Sequence, residues 1–319
     1  MKCSVLVAAL AVGVAFAAPV AAEEADWEAS EAMKPCFAGG SNAEELAAAL
    51  KACRELLGSA RYGGEDAAMI RYAIIDYQAD SASTAEQIEQ LASLSRDSLP
   101  EKFRYGRDER LARLCYNDKR WQCVIDAMRP DLESTYMAID GLSMFREAMV
   151  ETQGAAATET LGSELIQKRG TSAVGYLVRA EARTKSGDKA GAIADLVAAG
   201  ERLPADNASG MNGVCWTLVT ELAAAEKART YCDKAAAESP LNWLIWDSHG
   251  AMNLALKRNA NAWADYEQAV RLAPEAASAL YGRGLALERL GRDADAEKDK
   301  QAAIAIDPDI AKTYKGYGI

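Results

Sequence analysis

The chain has 319 residues, with 36 Lys and Arg against 47 Asp and Glu, one His and a net charge of −11. An acidic balance repels phosphate backbones and argues against nucleic acid as a partner. Half of the residues are hydrophobic, with 23 Gly and 8 Pro, and the many alanines in long stretches free of both breakers make helix the dominant expectation.

The first 22 residues, MKCSVLVAALAVGVAFAAPVAA, carry one cation, Lys2, then an uncharged apolar run and small residues before Glu23 and Glu24. That is the layout of a secretory signal peptide cleaved near Ala22. The apolar run is shorter than the ~20 residues a bilayer span requires, so a membrane anchor is the weaker reading. Removing Lys2 from the 36 cations leaves 35 against 47 acids, a balance of −12 for the mature chain, in which no further span is expected. Periplasmic or secreted localisation follows, and Cys3 is discarded with the leader.

Six cysteines remain, Cys36, Cys53, Cys115, Cys123, Cys215 and Cys232. An even count in an exported chain predicts disulfides, of which about 15 connectivities are possible in principle. They fall into three pairs of neighbours, each flanking a turn, and neighbour pairing is favoured. Zinc ligand spacing is not matched, and with one histidine a metal site is not expected.

Between residues 23 and 172 helices are predicted near 43–57, 64–79, 84–96, 101–116, 120–129, 133–151 and 156–168. Apolar residues three and four apart through Met69, Ile70, Ala73, Ile74 and Tyr77 mark one packed helix face. Gly39-Gly40-Ser41-Asn42 reads as a turn and helix cap, and Asn117 or Asp118 as the cap of the helix near 120. The region reads as degenerate helical pairs, with a separately folded helical domain as the alternative.

Farther on, proline recurs at 204, 240, 274 and 308, intervals of 36, 34 and 34 residues. Five residues before each stands alanine (199, 235, 269, 303), and twelve before it alanine again (192, 228, 262, 296). Such a period signals stacked helical units, small residues let two helices approach closely, and the proline ends the second helix. Gly187 and Gly291 fall where a first helix should end.

These residues resemble the tetratricopeptide repeat, a helix-turn-helix unit, with repeats at 173–206, 209–242, 243–276 and 277–310 and a tail at 311–319. Tyr176, Trp246 and Leu280 take the bulky fourth place, Ala180, Gly250 and Gly284 the small eighth, and Leu196 and Tyr266 the bulky twenty-fourth. The second unit departs most, with Asn212 at the fourth place and Trp216 at the eighth. The expected fold class is all-α, a solenoid of antiparallel helix pairs. Cys215 and Cys232 then lie on the two helices of one unit, equidistant from its turn, where a bridge is geometrically reasonable.

The resemblance implies a groove along the first helices, lined here by Leu244, Asp247, Ala251, Leu254 and Ala255, then Ser278, Tyr281, Leu285, Glu288 and Arg289. It implies a protein or peptide partner of mixed or apolar character and no cofactor. His249 lacks a nucleophile in reach and reads as structural. Asp293, Asp295, Asp307 and Asp309 lack a calcium loop, and Asn207-Ala-Ser209 is a glycosylation acceptor only by pattern. A non-enzymatic, disulfide-braced interaction scaffold is the leading expectation, and a cell-envelope enzyme with its site in 23–172 is the alternative.

Overall fold

The structure is a computed structural model and describes residues 30–59, 61–79, 81–132 and 139–319, the side chains of Ile139 and Asp140 excepted. The expected signal peptide lies outside the described residues, which are helical and contain no strand. The chain divides between residues 137 and 138 into two compact units.

In the first unit, α1 (Lys34–Phe37), α2 (Ala43–Gly58) and α3 (Gly64–Tyr77) enclose a core of Met33, Cys36, Cys53 and Ile70. Asn42 caps α2 by accepting from the N–H groups of Glu44 and Glu45 at 3.1 and 3.0 Å, which satisfies donors with no partner inside the helix. Ser83 and Glu86 form a reciprocal capping box at α4 (Thr84–Ser93). Next come α5 (Glu101–Asn117) and α6 (Trp121–Met128). The expected cap is corrected here: Asn117 ends α5, Asp118 is its C-cap, and α6 begins after Arg120 with no side-chain cap. The chain turns instead through Lys119, at φ +55°.

The second unit opens with α7 (Ile139–Lys168), broken at Gly154, where φ is +81°. It packs against α8 (Ala173–Ser186), and close approach is possible because Gly162 and Gly175 face the opposing helix: a Cβ on Gly162 would lie 2.7 Å from the Arg179 backbone nitrogen. Then follow α9 (Lys189–Gly200), α10 (Ala208–Thr220), α11 (Ala225–Glu238), α12 (Trp243–Ala255), α13 (Asn259–Leu272), α14 (Ala277–Arg289) and α15 (Asp293–Ile306). Residues 311–319, read as a tail, contribute to a further helix, α16 (Ile310–Tyr317).

The period has a direct packing cause. Alanines 192, 228, 262 and 296 are at most 2% exposed, and alanines 199, 235, 269 and 303 are fully buried. All eight lie on second helices, where the first helix of a pair meets the second. The fifteenth residue of every repeat has a left-handed backbone: Gly187, Ala223, Lys257 and Gly291 have φ of +85°, +53°, +58° and +74°. Only two of these are glycine, so the turn is imposed by the hairpin more than by local preference. In the last two repeats Arg258 N–H donates to Asn253 C=O at 2.8 Å and Arg292 N–H to Leu287 C=O at 2.9 Å. The α5–α6 turn repeats this bond, Arg120 to Cys115 at 2.8 Å, so that hairpin is built on the same plan.

First helices of successive pairs touch one another, α10 on α12 and α12 on α14, and α16 reaches both α14 and α10. A helix that follows the fourth pair can meet the first helix of the second pair only if the stack bends toward the first-helix side. The first helices of this unit therefore form its inner face.

Candidate functional site

Position seven of each repeat fastens the first helix to the second. In the first repeat Arg179 donates two hydrogen bonds to Asp195, at 2.9 and 2.7 Å. In the fourth, Arg283 donates to Asp299 at 2.6 and 2.8 Å. Bidentate guanidinium–carboxylate pairs are the stronger kind of ion pair. The third repeat uses His249, whose Nδ1 lies 2.8 Å from Asp265 Oδ2, and the second uses Cys215, bonded to Cys232 with a Cα–Cα distance of 5.2 Å. Arg283 also reaches back to Glu267 of the preceding repeat at 2.7 Å, and His249 to Asp233 of its preceding repeat at 3.0 Å. His249, read from the sequence as structural, is a rung of this ladder, which sequence reasoning missed; its signal was the 16-residue spacing of Arg179–Asp195, His249–Asp265 and Arg283–Asp299.

The other cysteines are likewise bonded as neighbours, Cys36 to Cys53 and Cys115 to Cys123, with Cα–Cα distances of 4.6 and 6.0 Å. Cys36 meets the middle of α2 because α1 lies against that helix.

The inner face is occupied by the chain itself. Tyr314 of α16 is buried; its hydroxyl donates to the Ser278 carbonyl at 2.8 Å and lies 3.2 Å from the hydroxyl of Tyr266. Since the Tyr314 proton is committed to Ser278, Tyr266 is the donor of the second bond. The Tyr266 ring sits between Gly250 and Gly282, where an added Cβ would overlap it. Burial drives both hydroxyls well above their ordinary pKa, which keeps them neutral. Tyr314 also packs on Tyr281 and Tyr317, with ring centroids 5.1 and 5.5 Å apart. Tyr317 meets Trp216 of α10 edge to face at 5.2 Å, a favourable aromatic geometry. Ile319 packs against the cluster built on Leu254 and Tyr266. The bulky Trp216 at a place where small residues belong thus has a partner.

Under this cover lies Asp247. It is 4% exposed, the nearby Ser278 side chain favours its charged form, and its Oδ1 has no hydrogen-bond partner in the protein. Burial raises its pKa from 3.8 to about 7. Of the other expected groove residues, Ala251 and Leu254 are buried, Tyr281 and Leu285 are partly covered against α16, and Leu244 is 49% exposed. Glu288 accepts from Lys300 at 2.7 Å, and Arg289 donates to the Leu254 carbonyl at 2.9 Å.

In the first unit the titratable groups with the deepest burial are Asp108, Asp131 and Arg107. Arg96 joins Asp108 and Asp131 at 2.6 Å each, and Arg107 donates to the Leu91 carbonyl at 2.7 Å. These charges face one another and tie the end of α4 to α5. Among the described residues no group of three or more His, Cys, Asp or Glu could hold a metal ion, and no helix is long and apolar enough to cross a membrane.

No family model matches the chain. The STIP1 homolog of Dictyostelium discoideum is 34% identical over 76 residues, 24% of this chain and 14% of that protein, so the match spans a small part of the relative. Similar solved structures are a tetratricopeptide repeat protein from Parabacteroides merdae (12% identity, 86% of this chain and 93% of that one, TM-score 0.47) and YrrB, described as a tetratricopeptide protein with an unusual peptide-binding site (14%, 60% and 97%, TM-score 0.44). MamA is another (18%, 51% and 95%, TM-score 0.44). The likeness to these structures is one of fold, an all-α stack of helix hairpins. In this chain α8 to α15 form four antiparallel helix pairs, and α16 packs on the two helices of the fourth, α14 and α15.

Proposed function

We propose that the protein is a non-enzymatic interaction scaffold of the cell envelope, which binds a helix or extended peptide of a partner protein on the inner face of its tetratricopeptide-type hairpins. The observation that carries this reading is α16 itself: a short helix whose aromatic side chains rest on Tyr281 and Trp216 is the kind of object this face accommodates. Helix-in-groove recognition works by such spaced anchors. The acidic composition speaks against nucleic acid. Substituting Tyr281 and Leu285 together with Asp should abolish recovery of the partner by cross-linking in the native envelope while leaving helicity unchanged. Undiminished recovery by that variant would dismiss the face as the binding surface.

Export with cleavage near Ala22 belongs to the same proposal and is supported by the three cysteine pairs held at bonding geometry. Intact mass after alkylation without reductant should show a chain beginning at Glu23 with no alkylated thiol. Several alkylated cysteines would contradict both the compartment and the bracing.

A further inference from the structure

The fastenings at position seven differ in one property, the protons they carry. Arg283 reaches from α14 to Asp299 of α15 and back to Glu267 of α13, and Arg179 reaches from α8 to Asp195 of α9 and back to Ser163 of α7. A guanidinium has several N–H donors and keeps its charge at every pH a protein meets, so these ties do not titrate. His249 holds the same two-way place in α12 with two nitrogens: Nδ1 lies 2.8 Å from Asp265 of α13, and Nε2 lies 3.0 Å from Asp233 of α11. Only the imidazolium can donate to both carboxylates, because a neutral imidazole has one N–H and a lone pair on its other nitrogen.

The two bonds are unequal. Asp265 is buried, and Asn253 of α12 donates to the same Oδ2 at 2.7 Å; a buried carboxylate loses more when a donor leaves, so a neutral ring keeps its proton on Nδ1. The Asp233 side chain is 54% exposed, where water replaces a lost donor, and Arg229 of its own helix stands 3.8 Å away as a second partner. The other neighbours of the ring are uncharged, the edge of Trp246 and the amide of Asn253.

We propose that the junction between the second and third repeats is a proton-operated joint: protonated His249 ties α12 to α13 and to α11 together, and loss of the Nε2 proton frees α11, so that hairpins 209–242 and 243–276 move more freely against each other as the pH rises. Burial opposes charge on the ring, but Asp265 and Asp233 outweigh it, which places the titration above the ordinary value of 6.5. The tie is complete below that value and is lost as pH rises through the folded one. Since α10 lies against α12, the inner face crosses the joint and has a different freedom in the two states, whatever partner that face holds.

The test measures residual dipolar couplings of backbone amides in the full chain, with the nitrogen shifts of the His249 ring reporting its charge. At pH 6 one alignment should describe 209–238 and 243–272. At pH 9, with the ring neutral, 209–238 should need an alignment of its own, while 243–272 and 277–306, joined through Arg283, still share one. His249→Arg should keep the common alignment at both pH values, and Asp233→Ala, a change at an exposed side chain, should lose it at both. A ring still charged at pH 9, or a common alignment kept with a neutral ring, overturns the proposal. So does a change at pH 9 that persists in His249→Arg, which would belong to Asp247, the buried acid two residues earlier in α12. Should His249→Arg not fold, Asp233→Ala decides, and a common alignment retained in it at pH 6 overturns the joint.

Discussion

Two ionisable side chains of the third repeat make the molecule sensitive to pH, and both act in the same direction. His249 takes the place that arginine takes in the first and fourth repeats. Burial opposes its charge, but hydrogen bonds and Coulombic attraction from Asp265 and Asp233 outweigh that, so its folded pKa is raised above 6.5. A raised pKa on a base means its contribution is fully present below the ordinary value and is lost as pH rises through the folded one. His249→Arg should keep the pair charged, so the fall in Tm between pH 6 and pH 9 should be smaller than in the parent chain. An equal fall in both would exclude the histidine as its source. Asp247 is the converse case, an acid whose folded pKa is pushed up to about 7 by burial. Its cost is absent below about pH 4, grows up to pH 7 and stays constant above, where it is on the order of a few kcal/mol. Asp247→Asn removes the ionisation without changing the shape. Hydrogen exchange of residues 310–317 at pH 8 should therefore slow in this variant and approach the parent's rate at pH 4. Faster exchange in the variant would show that the ionised carboxylate holds the tail in place.

Among the elements, the turns carry the clearest strain. Ala223 and Lys257 adopt left-handed backbones at φ +53° and +58°, a conformation that costs an L-residue about 1–2 kcal/mol relative to glycine. Lys257→Gly should therefore raise the unfolding free energy by about 1 kcal/mol, read from the denaturation midpoint at unchanged slope. A loss of stability would mean that the lysine side chain itself braces the turn. The same turns explain what was legible in advance. Where glycine marked the fifteenth place, as at Gly187 and Gly291, and proline closed the unit, the hairpins could be read directly from spacing. At Lys119 neither mark is present, so the α5–α6 hairpin was visible as two helices but not as the same turn. The position-seven fastening escaped because its chemistry changes from arginine to cysteine to histidine and back, although the residue sixteen or seventeen places later follows it each time. The α16 helix escaped although its period continues: Tyr314 and Gly318 stand 34 residues after Leu280 and Gly284, but only the first half of a unit is present to show it, and its other clue, Trp216 at a place meant for a small residue, lies almost a hundred positions earlier.

For the second compact unit as a whole, bending toward the first helices and covering of the inner face are one event. Tyr317 can touch Trp216 only if the intervening first helices α12 and α14 stand close, which Gly250 and Gly282 allow by admitting the Tyr266 ring between them. The disulfide in the second repeat and the ion pairs in the others lock each hairpin internally. The decisive measurement is a nuclear Overhauser experiment on the intact chain with labelled Trp and Tyr rings. The account predicts cross-peaks between the Trp216 indole and the Tyr317 ring, alongside those of Tyr266 with Gly250 and Gly282. Cross-peaks for Tyr266 as expected, with none joining Tyr317 to Trp216, would show a stack of hairpins whose inner face does not hold this helix, and would contradict the account.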